Sequence, residues 1–436
     1  MSLSARLLAH LAAQLPVDGT VTVAWSGGLD STVLLWLARC WCQQQPGRRL
    51  EAIHIHHGLS PNADGWETHC QRLADGWQLA LQVVRVTVNP APRQSLEACA
   101  RDARYQAFID HAAAGVLLLG HHLQDQAETL LLRLGRGTGP AGLAAMAARR
   151  PLRPDLQLLR PLLAVSRREL EQLAAAEGLS WIEDESNSDP RFSRNAFRHQ
   201  LLPLWRQLQP AIDQQLAKTA RHCGELQQLA DELAAEDLAR CLNADGGLPL
   251  AALCQLSPAR QHNLLRHWLA GQGVAISSAQ LQVVMSEVIG AGADRQPYLK
   301  LGDWQLLRSR DLLWLLAAEL PPLPAQLAWP NWQQPLALAD GRVVHLVSGG
   351  CLRPPRADEA VSLRFALPGS TRVHPHWRQQ GRELVKIWQE LAIPGWQRPR
   401  LPMLFYGEQL VAAGELWVEQ GAVTDASGGL RLVVSG

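Results

Sequence analysis

The chain has 436 residues, 47% of them hydrophobic and 19% charged, and its formal net charge at pH 7 is only +1. That length exceeds the size at which one hydrophobic core stops growing, so two or three domains are expected. The near-neutral balance excludes a nucleic-acid partner argued from bulk charge, which would instead need cations concentrated locally.

No apolar run approaches the roughly 20 residues that cross a bilayer. The opening segment MSLSARLLAHLAAQLPVDG has a helical apolar rhythm interrupted by His10 and Gln14, unlike a secretory signal. A cytoplasmic location without a membrane partner is the expectation. The eight cysteines are scattered, Cys40 and Cys42 are the only close pair, and no CxxC occurs, so no disulfide framework is indicated. Lysine is confined to Lys218, Lys300 and Lys386. The other cations are arginines, suited to bidentate phosphate contacts, although a GC-rich genome produces the same bias.

In chain order, Val21 to Trp25, Glu51 to His56, Gln82 to Val88 and Val116 to Leu119 read as short buried strands. They alternate with amphipathic helical stretches such as STVLLWLARCW and SLEACARDARYQAFIDHAAA. This alternation predicts an α/β domain with a doubly wound parallel sheet over residues 1–215. From Arg194 to about Glu319 apolar residues recur at i, i+3, i+4 and i+7, which predicts a helical middle domain at 216–320. Pro321, Pro322, Pro324, Pro330 and Pro335 then read as a linker. The β-like runs RVVHLV, EQLVAAGELWV and LRLVVS, around a helix at Arg382 to Leu391, predict a small α+β domain at 336–436.

Ligands of such sheets bind beyond the carboxyl ends of the strands, which brings Ser26 to Ser31 and His121 to Thr129 to one crevice. The segment Ser26-Gly27-Gly28-Leu29-Asp30-Ser31 passes from a strand through a glycine turn into a helix. Adjacent glycines let backbone N–H groups approach a phosphate, and the helix N-terminus favours an anion. The lysine of GxxxxGK[ST] is missing and the glycines do not follow GxGxxG, so the phosphate geometry is of another kind. A plain tight turn with Ser31 or Asp30 capping the helix accounts equally well for the bare tripeptide.

The full hexapeptide SGGLDS resembles the SGGxDS fingerprint of the PP-loop ATP pyrophosphatases (adenine nucleotide alpha hydrolase-like). That resemblance implies ATP cleavage between the α and β phosphates, with Ser26, Gly27, Gly28, Leu29, Asp30 and Ser31 at the nucleotide and Asp30 on Mg²⁺. HIHHGLS at His54, ARDARYQAF at Ala100, GHHLQDQAET at Gly120, RGTGPAGL at Arg136, RPLL at Arg160 and WIEDESNSDPRFSRNAFRHQLLP at Trp181 narrow the likeness. So do RPPRADEAVSLRF and GRELVKIWQELAIPGW further on. In order and spacing they resemble the tRNA(Ile)-lysidine synthetases over nearly the whole chain.

The resemblance implies a carbon-nitrogen ligase acting on tRNA(Ile) with a CAU anticodon. The wobble cytidine is adenylated by ATP, and free L-lysine then displaces AMP, with the C-terminal domain on tRNA. It also implies that Asp125 and Glu128 bind the lysine ammonium or Mg²⁺, and that Arg104, Arg194 and Arg198 clamp phosphate or base. Asp125 and Glu128, three apart on one helical face, read equally as first-turn carboxylates that stabilise a helix start. Where this family usually has two adjacent aspartates, the chain has Gln124 before Asp125.

His54, His56, His57, His121 and His122 admit a metal reading, but no cysteine or carboxylate completes a zinc set at recognisable spacing. Arg353, Arg356, Arg364, Arg382, Lys386 and Trp388 are candidates for tRNA contact, and Trp388 and Trp396 equally for core packing. A tRNA thiolase of the same superfamily lacks its CxxC here, and a non-catalytic nucleotide-binding module is the rival from another class. A homodimer is compatible with the sequence, which leaves the oligomeric state open.

Overall fold

The computed structural model describes residues 2–435 apart from 17–18, 89–95, 184–192, 244–245, 293–296 and 425–427. It divides into two compact units, Met1–Glu232 and Leu233–Gly436.

In the first unit the chain runs through α1 (Leu3–Ala12), β1 (Gly19–Ala24), α2 (Leu29–Gln43), β2 (Arg48–His56), α3 (Ala63–Trp77), β3 (Ala80–Arg85), α4 (Leu96–His111), β4 (Gly115–Leu118) and α5 (Leu123–Leu134). There follow α6 (Pro140–Leu143), the pair β5 (Arg149–Arg153) and β6 (Leu156–Leu159), α7 (Arg167–Ala176), α8 (Ser193–Ala196), α9 (Leu202–Leu208) and α10 (Ile212–Cys241), whose residues from Leu233 on belong to the second unit. The sheet order is β3-β2-β1-β4-β6-β5. Every pairing is parallel except the one between β5 and β6. The four strands expected from the sequence are β1 to β4, of which β3 forms one edge of the sheet. β5, the charged run Arg149–Arg153 at the other sheet edge, gave no apolar signal, because an edge strand is not covered on both faces, whereas β6 is apolar and buried beside β4.

Alternate residues of the central strands feed two cores. Val21, Val23, Ala52 and Leu118 pack with Leu34, Leu37 and Trp41 of α2 and Leu170 and Leu173 of α7. Ile53, Leu117, Leu119 and Leu158 pack with Phe108 of α4 on the other face. Burial on both faces explains why these strands read as continuous apolar runs, each Leu or Ile contributing roughly 1.5 to 3 kcal/mol. β1 has β2 on one side and β4 on the other, so the chain changes winding direction between β1 and β4. The crevice of a doubly wound sheet opens there.

The second unit begins with helices Pro258–Gly271 and Ser278–Val283 on an antiparallel sheet built from Leu248–Pro249, Leu312–Ala317, Trp304–Ser309 and Tyr298–Leu301. The middle segment is therefore helical only in part. The run YLKLGDWQLLRSRDLLWLLA folds as three strands because its tight connections, at Gly302 with φ +63° and Arg310 with φ +53°, break any helical repeat. The proline-rich stretch is also more than a linker. Gln326–Ala328 pairs antiparallel with Val361–Arg364, and Trp329 is buried with its indole N–H donating to the Gln334 carbonyl. Met403–Tyr406, Gln409–Ala413 and Trp417–Val418 complete that five-stranded sheet. Helix Leu384–Glu390 seats Ile387 and Trp388 in the core, with Trp388 5.4 Å from Trp417.

Candidate nucleotide and acid–arginine site

The turn after β1 is held by its own polar atoms. Trp25 Nε1 donates to Thr32 Oγ1, and Thr32 Oγ1 donates to the Gly27 carbonyl. Ser31 Oγ donates to the Gly28 carbonyl at 3.0 Å and accepts from the Ser26 N–H. Gly27 has φ +84°, and a Cβ there would lie 2.7 Å from Ile182 Cδ1 and 2.9 Å from Cys70 Sγ. Glycine is thus required both by conformation and by the segment packed behind it, whose Ile182 N–H donates to the Gly27 carbonyl at 2.9 Å. The rest of that motif, residues 184–192, lies outside the described residues.

Thr32 is the first residue of α2 whose N–H closes an intrahelical bond, to the Gly28 carbonyl. The N–H groups of Leu29, Asp30 and Ser31 therefore have no helical acceptor and point out of the helix start, as an anion site requires. Gly120, at the end of β4, lies against them: a Cβ there would come 3.0 Å from the Ser31 nitrogen. This close approach joins the glycine turn to His121 to Thr129, as the crevice argument expects.

Asp30 sits at the mouth with its Oδ2 3.7 Å from His122 Nε2 and 3.6 Å from Arg167 Nη1. Its Oδ1 is buried and has no hydrogen-bond partner among the described residues. Burial raises its pKa above the usual aspartate value, against the lowering effect of His122 and Arg167. His122 caps α5. Its Nδ1 accepts the Gln124 N–H, which leaves the ring proton on Nε2, facing Asp30 and, at 3.5 Å, Asp125 Oδ2.

Beyond His122 the four residues expected from the sequence converge. Arg194 donates from Nη2 to Asp125 Oδ1 and from Nε to Glu128 Oε2, both at 2.7 Å. Arg198 forks onto Glu128, Nε to Oε1 at 2.7 Å and Nη2 to Oε2 at 2.8 Å, and reaches Asp125 Oδ1 at 3.5 Å. The Asp125 carboxylate accepts the His122 backbone N–H at 3.0 Å as well. Burial works to raise the Asp125 pKa, but His122, Arg194 and His121 outweigh it and hold the group below the usual carboxylate range. The arginines come from α8 and from a π-turn at Phe197–Leu201 that follows it, a local widening often found at functional sites. Asp125 and Glu128 thus do more than stabilise a helix start: in this structure they are ion-paired acids at the crevice.

Gln124 faces away from this cluster. Its Nε2 donates to Asp213 Oδ2, an oxygen that also receives Arg206 Nε, while its Oε1 accepts the Arg167 N–H. It ties the start of α5 to those of α7 and α10. No spacing rule marks Arg167 in the sequence, and Gly120 stands there only as the first residue of GHHLQDQAET. Arg101 lies 5.6 Å over the Tyr105 ring, and Arg104 lies near enough to His57 to depress it electrostatically.

The histidines separate. The buried His54 donates from Nδ1 to the Trp25 carbonyl at 2.9 Å. His56 meets Asp64 at 3.2 Å, with Glu67 close by, but Arg85 already pairs with both carboxylates. That guanidinium stands where a metal ion would balance the acids. Burial lowers His57 to about 4 and His121 to about 3, so both rings are neutral at pH 7.

In the second unit the candidate tRNA contacts are mostly paired. Arg353 binds Glu359 through two 2.6 Å bonds, Arg364 meets Glu408 at 2.7 Å, Lys386 meets Glu383 at 2.8 Å, and Arg382 pairs with Glu390. Trp388 belongs to the core, and Trp396 lies edge-on to Trp314 at 5.8 Å.

A glycine turn opening a helix at the switch point of a parallel sheet, with an acid beside it, defines a nucleotide-binding α/β protein of the PP-loop class, and residues 2–205 match the PP-loop domain family. Residues 248–314 match the TilS substrate binding domain and 361–434 the TilS substrate C-terminal domain. The tRNA(Ile)-lysidine synthase of Shigella flexneri is 45% identical over 423 residues, 96% of this chain and 97% of that protein. The tRNA(Ile)-lysidine synthase of Salmonella typhimurium is 46% identical over 412 residues, 94% and 95% of the two chains. The chain belongs to the tRNA(Ile)-lysidine synthase family. No described helix is long and apolar enough to cross a membrane.

Proposed function

We propose that the protein ligates L-lysine to carbon 2 of the wobble cytidine of tRNA(Ile) with a CAU anticodon, consuming ATP and releasing AMP and pyrophosphate. The observation that carries this reading is the junction of the glycine turn with the acid–arginine cluster through His122. In the first half-reaction the cytidine carbonyl oxygen bonds to the α-phosphorus and pyrophosphate leaves. In the second, the lysine side-chain amine bonds to carbon 2, the former carbonyl oxygen departs within AMP, and the amine gives up its proton.

Within that scheme the amides of Leu29, Asp30 and Ser31 hold phosphate, and Arg104, Arg194 and Arg198 offset the charge that develops on phosphorus. Asp125 and Glu128 receive the lysine ammonium and help remove its protons. Asp30 suits Mg²⁺, because a buried carboxylate oxygen with no hydrogen-bond donor is a ready ligand for a hard cation. Such an ion would neutralise phosphate charge. A cytoplasmic location follows from this choice of substrates, and the 361–434 segment is the proposed tRNA-binding part.

The test is incubation with ATP, labelled lysine and a transcript of tRNA(Ile) bearing the CAU anticodon. Label should appear in RNA, together with AMP and pyrophosphate. Folded protein that binds ATP yet transfers no label would leave only a nucleotide-binding module, and incorporation of sulfur instead would indicate a thiolase.

A further inference from the structure

The acid–arginine cluster contains two carboxylates and two guanidiniums, and every carboxylate oxygen has a donor. Asp125 Oδ1 takes both arginines, Asp125 Oδ2 the His122 N–H, Glu128 Oε1 Arg198, and Glu128 Oε2 both arginines. Glu128 is 1% exposed, whereas Arg194 and Arg198 are exposed over about a quarter of their side chains. The arginines therefore cover the acids. An ammonium ion arriving here finds every carboxylate oxygen already engaged and no net negative charge, and burying it beside two guanidiniums is unfavourable. It can enter only if a guanidinium leaves.

An exchange partner for the guanidiniums lies within reach. His122 Nε2 lies 3.7 Å from Asp30 Oδ2 and 3.5 Å from Asp125 Oδ2, and Arg198 Nη2 lies 3.5 Å from Asp125 Oδ1, so one imidazole and one carboxylate separate Arg198 from the acid of the glycine turn. A polyphosphate seated on that turn brings several anionic oxygens toward Arg198, and guanidinium binds phosphate as readily as carboxylate.

We infer that Arg194 and Arg198 form a latch over Asp125 and Glu128, released by nucleotide, so that ATP must bind before the lysine site can fill. This rests on the assignment of Asp125 and Glu128 to the lysine ammonium. Exchange of one cation for another keeps the acids neutralised throughout. It also protects the site from free lysine, and from other diamines and cationic amino acids, when no ATP is bound. By linkage, lysine tightens nucleotide by the same factor by which nucleotide tightens lysine.

The experiment titrates L-lysine calorimetrically into the full-length protein, alone and saturated with Mg²⁺ and an ATP analogue carrying a methylene bridge between its α and β phosphates. Lysine should bind at least about tenfold more tightly with the analogue, and saturating lysine should tighten the analogue equally. In Arg198→Ala that dependence should largely vanish, because lysine then reaches Glu128 without nucleotide. If Arg198→Ala does not fold, the wild-type titrations decide alone. Equal lysine affinity with and without the analogue overturns the latch and makes the acids permanent supports for the arginines. No lysine binding in either state overturns it too, and the label-transfer assay then shows whether the ligase reading falls with it.

Discussion

The glycine turn and the acid–arginine cluster are neighbours in one crevice, yet they are built on opposite terms. The turn is made mainly from backbone; among the described residues the helix-start amides and one Asp30 oxygen have no hydrogen-bond partner. In the cluster each carboxylate oxygen is already met by a guanidinium or an N–H. A site whose ligand supplies charge of the missing sign can stay open at little cost. One that must hold charges of both signs in a buried place has to neutralise them in advance, and it admits a charged ligand only by substitution.

Removing the acid of the open region should have the largest effect. Asp30→Ala is expected to cut pyrophosphate release at least about 10²-fold, the usual scale for loss of one electrostatic contributor, with the far-ultraviolet spectrum unchanged. Turnover within tenfold of the parent would show that the turn works without its acid.

The filled region makes the reverse prediction, that added charge is not tolerated even at its rim. Gln124→Asp sets a second carboxylate against Asp213 and removes one of the two donors to its Oδ2, leaving Arg206 Nε. Unfolding free energy should fall by about 1 to 2 kcal/mol, and adding Asp213→Asn should restore at least half of it. Urea denaturation of the two variants decides; an undisturbed single variant would mean that the link is idle.

The smallest effect is a pH dependence. His121 is held neutral in the folded protein, its pKa pushed down to about 3 chiefly by burial, against 6.5 for an ordinary histidine. The unfolded chain therefore takes up this proton first. The contribution is complete above about pH 6.5 and drains as pH falls toward 3. Between pH 7 and pH 5 the parent should lose on the order of 1 kcal/mol more unfolding free energy than His121→Gln. Matching losses would sink the assignment.

Sequence reading reached the two regions unequally, for a physical reason. The turn lies in six consecutive residues after a buried strand, so its geometry is local and its pattern is visible. Asp125 and Glu128 could be placed on one face by helical spacing, but nothing local reveals Arg194 and Arg198 66 and 70 residues away as their partners. Only resemblance brought those four together. Gln124 looked like a lost acid, and its real place depends on Asp213, Arg206 and the start of α7, none of them nearby in sequence. The edge strand β5 and the strands at 298–317 were hidden for a similar cause, being shaped by neighbours rather than by their own periodicity. The paired arginines of the second unit show the limit of counting cations: their carboxylate partners were in the sequence too, without any sign of which belonged to which.

The choice of arginine at both latch positions has a chemical meaning of its own. A guanidinium keeps its proton at any physiological pH and is a poor nucleophile. In the proposed site, a primary amine at 194 or 198 would stand near the activated pyrimidine as a built-in rival to the free amino acid, able to fuse enzyme and RNA. With arginine there, the proposed latch would grip anions without offering itself as the substrate it is meant to deliver.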